Sequence, residues 1–173
     1  ALGQPVWRRL GGARKACPVY TTFGFGFYDL EELPVAANAW RERGFSRLKM
    51  TVGNSALRRR DEPRLLSEVI REDEARVAAV RDAAGKDAEL FIDANCSLDY
   101  FHAVELTGAL APYHISFFEE PITQNDVLQM SELRRQTGMR VACGQNEAQS
   151  YRFRDMLVAG AVDIVQPNVV ITG

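Results

Sequence analysis

Five side chains near the ends of short apolar runs have the types needed to bind a hard cation and move a proton: Lys49, Asp93, Glu119, Gln145 and Asn168. Lys49 lies near the end of Arg47 to Val52, and Asp93 closes Leu90-Phe91-Ile92. Glu119-Glu120-Pro121 closes Ile115 to Phe118, Gln145-Asn146-Glu147 follows Val141 to Gly144, and Gln166-Pro167-Asn168 follows Val162 to Val165. Asp93 to Glu119 is 26 residues, and Glu119 to Gln145 is again 26. One such residue per repeating unit, at one height, brings three oxygen ligands onto a shared rim, as a hard octahedral ion such as Mg²⁺ requires. A single Asp or Glu at a strand end can equally cap the next helix; several in phase argue for the rim.

Such placement demands strands that all end on one side. The chain alternates accordingly. Strands are expected at Val19 to Phe23, Arg47 to Val52, Leu90 to Ile92, Ile115 to Phe118, Arg140 to Cys143 and Val162 to Val165. Between them run helical periods: Leu33 to Trp40 ended by Gly44, a long helix to Ala84 with Val69, Val77 and Val80 inward, and Ser97 to Ala111 with Ser97 as N-cap. Two more follow, Asn125 to Thr137 ended by Gly138, and Tyr151 to Ala159. A basic stretch from Asn54 to Arg64, with Arg58-Arg59-Arg60 inside it, reads as a solvated loop. Repeating βα units imply a parallel sheet with helices outside. A doubly wound sheet and a (β/α)8 barrel both satisfy that pattern. Polar groups gathered at the C-terminal strand ends favour the barrel.

Composition removes several alternatives. The 173 residues carry 21 basic and 23 acidic side chains, a net charge of −2, and 46% are hydrophobic. That balance offers no basic footprint for nucleic acid and no polybasic membrane patch. No apolar run approaches the ~20 residues of a membrane span, and the first residues lack the charged and apolar regions of a signal peptide. Cys17, Cys96 and Cys143 are odd in number, far apart and without a Cys-x-x-Cys pair, which fits reduced thiols in the cytoplasm.

Taken in order, Lys49, Asp93-Ala94-Asn95, Glu119-Glu120-Pro121, Gly144-Gln145-Asn146 and Gln166-Pro167-Asn168 resemble the mandelate racemase/muconate lactonizing enzyme branch of the enolase superfamily. The resemblance runs from about residue 19 to residue 173. It implies a capping domain joined to a modified TIM barrel, and a Mg²⁺ ion held by carboxylates ending the third, fourth and fifth strands. The implied chemistry is abstraction of the proton α to a substrate carboxylate. Asp93 and Glu119 take the first two ligand positions by match of motif, with Glu120 as a neighbouring hydrogen-bonding acid. Thr51, Asn95 and Glu147 stand where substrate contacts are expected, and the resemblance implies a homo-oligomer acting on a small carboxylate.

Three positions depart from the family pattern. Gln145 replaces the usual third Glu ligand; its amide oxygen can coordinate Mg²⁺ but brings no charge, and Glu147 is the alternative ligand. The Lys-x-Lys pair becomes Lys49-Met50-Thr51, so a hydroxyl occupies the position of the second lysine. Lys49 is then either a base or a cation that binds the substrate carboxylate. Asn168 stands where an Asp usually orients a His of the seventh strand, and an amide cannot stabilise an imidazolium as a carboxylate does. His102, inside a helix, and His114, just before a strand, read as structural.

The fold class is therefore α/β: a partial (β/α)8 TIM-type barrel of about six βα units, with the capping domain and last strands absent. Residues 1–18 are expected to be a linker from the capping domain, and 19–173 a barrel domain truncated before strands 7 and 8. The leading expectation is a Mg²⁺-dependent acid-sugar dehydratase. A racemase or epimerase of a 2-hydroxy acid and a non-catalytic sugar-acid binder are the alternatives.

Overall fold

A computed structural model describes residues 3–14, 16–56 and 64–172, so the Arg58-Arg59-Arg60 triplet lies outside the described residues. In chain order the elements are α1 (Val6–Arg9), β1 (Thr21–Phe23), α2 (Glu32–Glu42), β2 (Arg47–Thr51), α3 (Leu66–Ala84), β3 (Glu89–Asp93) and α4 (Tyr100–Ala109). Then come β4 (Ile115–Glu119), α5 (Val127–Thr137), β5 (Val141–Cys143), α6 (Ser150–Val158), β6 (Ile164–Val165) and α7 (Val169–Thr172). The six strands form one parallel sheet in the order β1-β2-β3-β4-β5-β6. A doubly wound sheet would reverse its strand order at a switch point. This one never does.

The two faces of the sheet differ. Leu48, Met50, Leu90, Ile92, Phe118, Val141 and Cys143 join one large core with helix residues Leu33, Ala37, Val77, Val80, Ala103, Leu106, Met130, Leu133 and Met156. The opposite face carries a small separate cluster of Phe91, Phe117 and Ala142. All five longer helices thus cover one face, and side-chain alternation along each strand sends the other set to the barrel interior. The architecture is that of a partial TIM barrel.

Several boundaries differ from the sequence expectation, each for a local reason. Ser97 does not cap α4. Asn95 and Cys96 adopt positive φ (48° and 57°), turning the chain back after β3, and Leu98 pairs with Ile122 in an isolated parallel bridge. The cap is Asp99, whose Oδ1 accepts the backbone N–H of His102 at 2.8 Å. Likewise Asn125, with φ 49°, precedes α5 rather than starting it, and Asp126 caps that helix by accepting from Gln129 N at 2.9 Å. Among the described residues no helix is long and apolar enough to cross a membrane.

One helix fixes the loops above the first two strands. The buried Arg76 of α3 donates to the carbonyls of Gly24 (2.7 Å), Phe25 (3.1 Å) and Tyr28 (2.6 Å). Asp73, one turn earlier, accepts the backbone N–H of Gly53 at 2.8 Å. Burial pushes the Asp73 carboxyl up to about 6, against the lowering pull of that hydrogen bond and of Arg76. Gly53 is required there: φ is +71°, and a Cβ would lie 2.6 Å from Ser97 Oγ and 2.7 Å from Leu98 Cδ2.

Candidate active site

Alternation in β2 directs Lys49 and Thr51 to the barrel face while Leu48 and Met50 enter the helix-covered core. Lys49 is level with Phe91, and Thr51 is level with Asp93, which is in turn level with Glu119. Neighbouring strands are ~4.8 Å apart, so adjacent carboxylates at equal height stand within reach of one ion. The Lys49 ammonium rises between them. Its Nζ donates to Asp93 Oδ2 at 3.0 Å and lies 2.8 Å from Glu119 Oε1. All three residues are buried.

An aromatic layer forms the floor. Phe91 stacks on Phe117 with centroids 4.1 Å apart, Tyr20 meets Phe91 edge-on at 5.4 Å, and Lys49 Nζ sits 5.4 Å from the Tyr20 ring. Above it, the outer oxygens of the carboxylates are also engaged. Asp93 Oδ1 accepts the backbone N–H of Asn95 at 2.9 Å, and Glu119 Oε2 accepts Gln166 Nε2 at 2.9 Å.

Two carboxylates against one ammonium leave the buried cluster with one excess negative charge. Desolvation and the Asp93 charge push Glu119 above the ordinary carboxylate range, outweighing its bonds to Lys49 and Gln166. Burial pulls Lys49 down, but the charges of Asp93 and Glu119 and its hydrogen bonds to both hold its pKa above the ordinary lysine value. Both shifts keep protons on the cluster, Glu119 because burial and the Asp93 charge disfavour its ionised form, and Lys49 because two carboxylates hold its ammonium against burial.

Beside this cluster lies a second polar network. Glu120 is fully buried, and its oxygens accept Gln145 Nε2 (3.0 Å), Asn146 Nδ2 (2.9 and 3.2 Å) and Asn125 Nδ2 (3.3 Å). Asn125 Nδ2 also donates to Glu147 Oε1 at 3.0 Å, and Arg152 Nε donates to Glu147 Oε2 at 2.9 Å. Burial raises Glu147, yet its bonds to Arg152 and Asn125 outweigh burial and hold it below the ordinary range.

Lys49, Asp93 and Glu119 are thus brought into direct contact. Gln145 and Glu147 belong to the Glu120 network instead. Thr51 Oγ1 donates to the Gly24 carbonyl at 3.0 Å, and the exposed Asn95 reaches Asp93 through its backbone N–H. Asn168 Oδ1 accepts the backbone N–H of Val170 at 3.0 Å, at the start of α7. Sequence reasoning passed over Gln166, although it opens the Gln166-Pro167-Asn168 motif, and over Asn125 and Arg152, whose reach across loops leaves no periodic signal. The buried His102 lies in α4, and His114, with φ 51°, precedes β4.

A divalent cation suits these donors, with two charged ligands rather than three. Asp93 and Glu119 already share one cation, the Lys49 ammonium, and Gln166 Oε1 is buried next to Glu119 with no hydrogen-bond partner among the described residues. No group of three or more His, Cys, Asp or Glu side chains poised for a metal occurs among the described residues.

Residues 32–173 match the family model described as enolase C-terminal domain-like. The chain belongs to that family. Among enolase-type relatives, it is 32% identical over 170 residues to the 3,6-anhydro-α-L-galactonate cycloisomerase of Streptomyces coelicolor, covering 95% of this chain and 42% of the relative. It is 30% identical over 173 residues to the arabinonate dehydratase of Saccharolobus solfataricus, covering 98% and 43%. A crystal structure of a racemase from Streptomyces coelicolor with bound magnesium superposes with a TM-score of 0.84 at 28% identity, covering 98% of this chain and 47% of that one. The chain spans less than half the length of these enolase-type relatives.

Proposed function

We propose that the protein is a Mg²⁺-dependent enzyme that abstracts the proton α to a carboxylate and dehydrates an acid sugar. The observation that carries this reading is the buried contact of Lys49 with Asp93 and Glu119 on neighbouring strands. Asp93 and Glu119 would hold the ion, with Gln145, whose Nε2 rather than Oε1 is taken up by Glu120, as the third ligand and Glu147, already paired with Arg152, as the alternative. When bound, Mg²⁺ supplies charge that offsets the negative charge of the substrate carboxyl group.

The remaining chemistry falls to the chain's own residues. Lys49 donates to two carboxylates, the geometry of an ammonium, so it acts as the cation that holds charge developing on the substrate carboxyl as the α-proton leaves. A base takes the α-proton, and departure of the β-hydroxyl with a proton returned to it as water then gives an enol that becomes a 2-keto-3-deoxy acid. Thr51 and Asn95 bind substrate hydroxyls at the rim, while Asn168 positions the group that exchanges the proton. Racemisation requires a base on each face of the α-carbon. The hydroxyl of Thr51 in place of a second lysine therefore favours dehydration.

The test is a panel of acid sugars incubated with the intact protein and Mg²⁺, scored for 2-keto-3-deoxy acid. Release from at least one sugar, abolished by chelation, is expected. Exchange of the α-proton with solvent deuterium without dehydration would replace this reading with racemisation.

A further inference from the structure

We propose that Tyr20 is a positioning residue for Lys49: the face of its ring holds Nζ beside the carboxylate pair through a contact that uses none of the oxygens a metal ion needs. The proposal rests on the reading of Lys49 as the group at the substrate carboxyl, and deepens it.

Phe23 of β1 enters the helix-covered core, so alternation turns Thr22 and Tyr20 to the barrel face. Thr22 is level with Lys49, and Tyr20 lies two residues lower on that face. Lys49 Nζ sits over the Tyr20 ring, 5.4 Å from its centroid, inside the ~6 Å over which an aromatic face attracts a cation. The contact needs only an N–H above the ring, which an amine and an ammonium both possess. The ring is itself fixed. It meets Phe91 at 81° with centroids 5.4 Å apart and Phe117 at 70° and 6.4 Å, both edge-to-face. Those two rings stack on each other at 4.1 Å, so Tyr20 leans on a rigid pair.

The lysine needs such a support. Ordering a lysine forfeits more rotamer freedom than ordering almost any other side chain. Two of its contacts are Asp93 Oδ2 at 3.0 Å and Glu119 Oε1 at 2.8 Å. The other oxygens, Asp93 Oδ1 and Glu119 Oε2, already accept from Asn95 N and Gln166 Nε2. An ion and the lysine therefore draw on the same two oxygens. The ring takes no part in that competition. It is the contact that keeps Lys49 at the site when the carboxylates turn to an ion.

The test labels the intact protein with lysine carrying ¹³C at Cε and follows the Lys49 ε-protons by NMR, assigned by their loss in Lys49→Arg. A ring this close shifts them upfield and gives a nuclear Overhauser contact to its own protons. Both signs are expected without Mg²⁺ and in excess Mg²⁺, in the parent and in Tyr20→Phe, and both are lost in Tyr20→Leu. On an acid sugar that turns over, kcat of Tyr20→Leu is expected to fall about a hundredfold, the scale of a small misplacement, while Tyr20→Phe keeps the parent rate. A ring contact that disappears when Mg²⁺ is added overturns the proposal. So does parent-like turnover in Tyr20→Leu, or a Tyr20→Phe protein as slow as Tyr20→Leu. If Tyr20→Leu does not fold, the parent and Tyr20→Phe spectra in Mg²⁺ decide alone. If no acid sugar turns over, the proposed reaction fails, and the same spectra still decide whether Tyr20 holds Lys49.

Discussion

Thr51 stands level with Asp93 across adjacent strands, whereas Lys49 stands two residues lower, level with Phe91. The lysine therefore reaches the carboxylates from beneath, out of the aromatic layer, and the hydroxyl lies beside them at the rim.

Lys49→Met tests that placement. Turnover is expected to fall by orders of magnitude. Removing one partner of a buried ionic cluster also leaves two carboxylates uncompensated, costing about 3 kcal/mol of stability. Unfolding followed in chelator and again in excess Mg²⁺ should show the loss in the first and partial recovery in the second. Undiminished turnover in the variant would make Lys49 scaffold.

Asp93→Asn should abolish metal-dependent turnover while the fold persists, because an amide oxygen can still accept the backbone N–H of Asn95. Calorimetry should show Mg²⁺ affinity reduced at least tenfold. An unchanged affinity would place the ion elsewhere.

Asp73 gives a pH dependence of known sign. Its folded pKa, about 6, lies above the ordinary 3.8, so the folded state holds the proton more tightly than the unfolded chain. Between about pH 4 and about pH 6 unfolding releases that proton, and stability falls as pH rises through the window. Asp73→Asn should flatten this slope in urea unfolding compared at about pH 4.5 and about pH 7. An identical slope in both proteins would assign it to other groups.

The thiols should separate in native labelling. Cys17 is exposed, whereas burial pushes half-buried Cys96 up to about 12 and raises buried Cys143 as well. Because thiolate is the nucleophile, iodoacetamide should modify Cys17 alone before unfolding and all three afterwards, read by intact mass. Rapid labelling of Cys96 would mean its loop opens.

Much of this site was legible in the chain. Period-two alternation in Arg47 to Thr51 gave the inward lysine and outward Leu48 and Met50, and the 26-residue spacing gave the common height of Asp93 and Glu119. What escaped is what depends on backbone turns. Positive φ at Asn95, Cys96, Glu120 and Asn125 redirects the chain after β3 and β4 without altering any periodicity, so Glu120 could be named as a hydrogen-bonding acid while its partners and the true caps stayed hidden. Arg76 and Asp73 sit on α3 like any charged helix residues, and only the closure of the loops over them shows their role.

One irregularity in the sheet carries a further consequence. Leu90 is level with Ile115, yet Phe91 is level with Phe117, so Ser116 is an extra residue without a counterpart in β3. Ile115 packs toward the helix-covered core while Phe117 and Glu119 turn to the barrel face. The bulge is therefore a place where the rim can absorb a change in chain length. Deleting Ser116 would let β4 pair residue for residue with β3, with Phe117 still level with Phe91 and Glu119 still level with Asp93. Inserting one residue between Ser116 and Phe117 would instead bring Phe118 level with Asp93 and turn Glu119 away from the barrel face. In a lineage of such barrels, a one-residue gap at this point costs the rim less than a one-residue insertion beyond it.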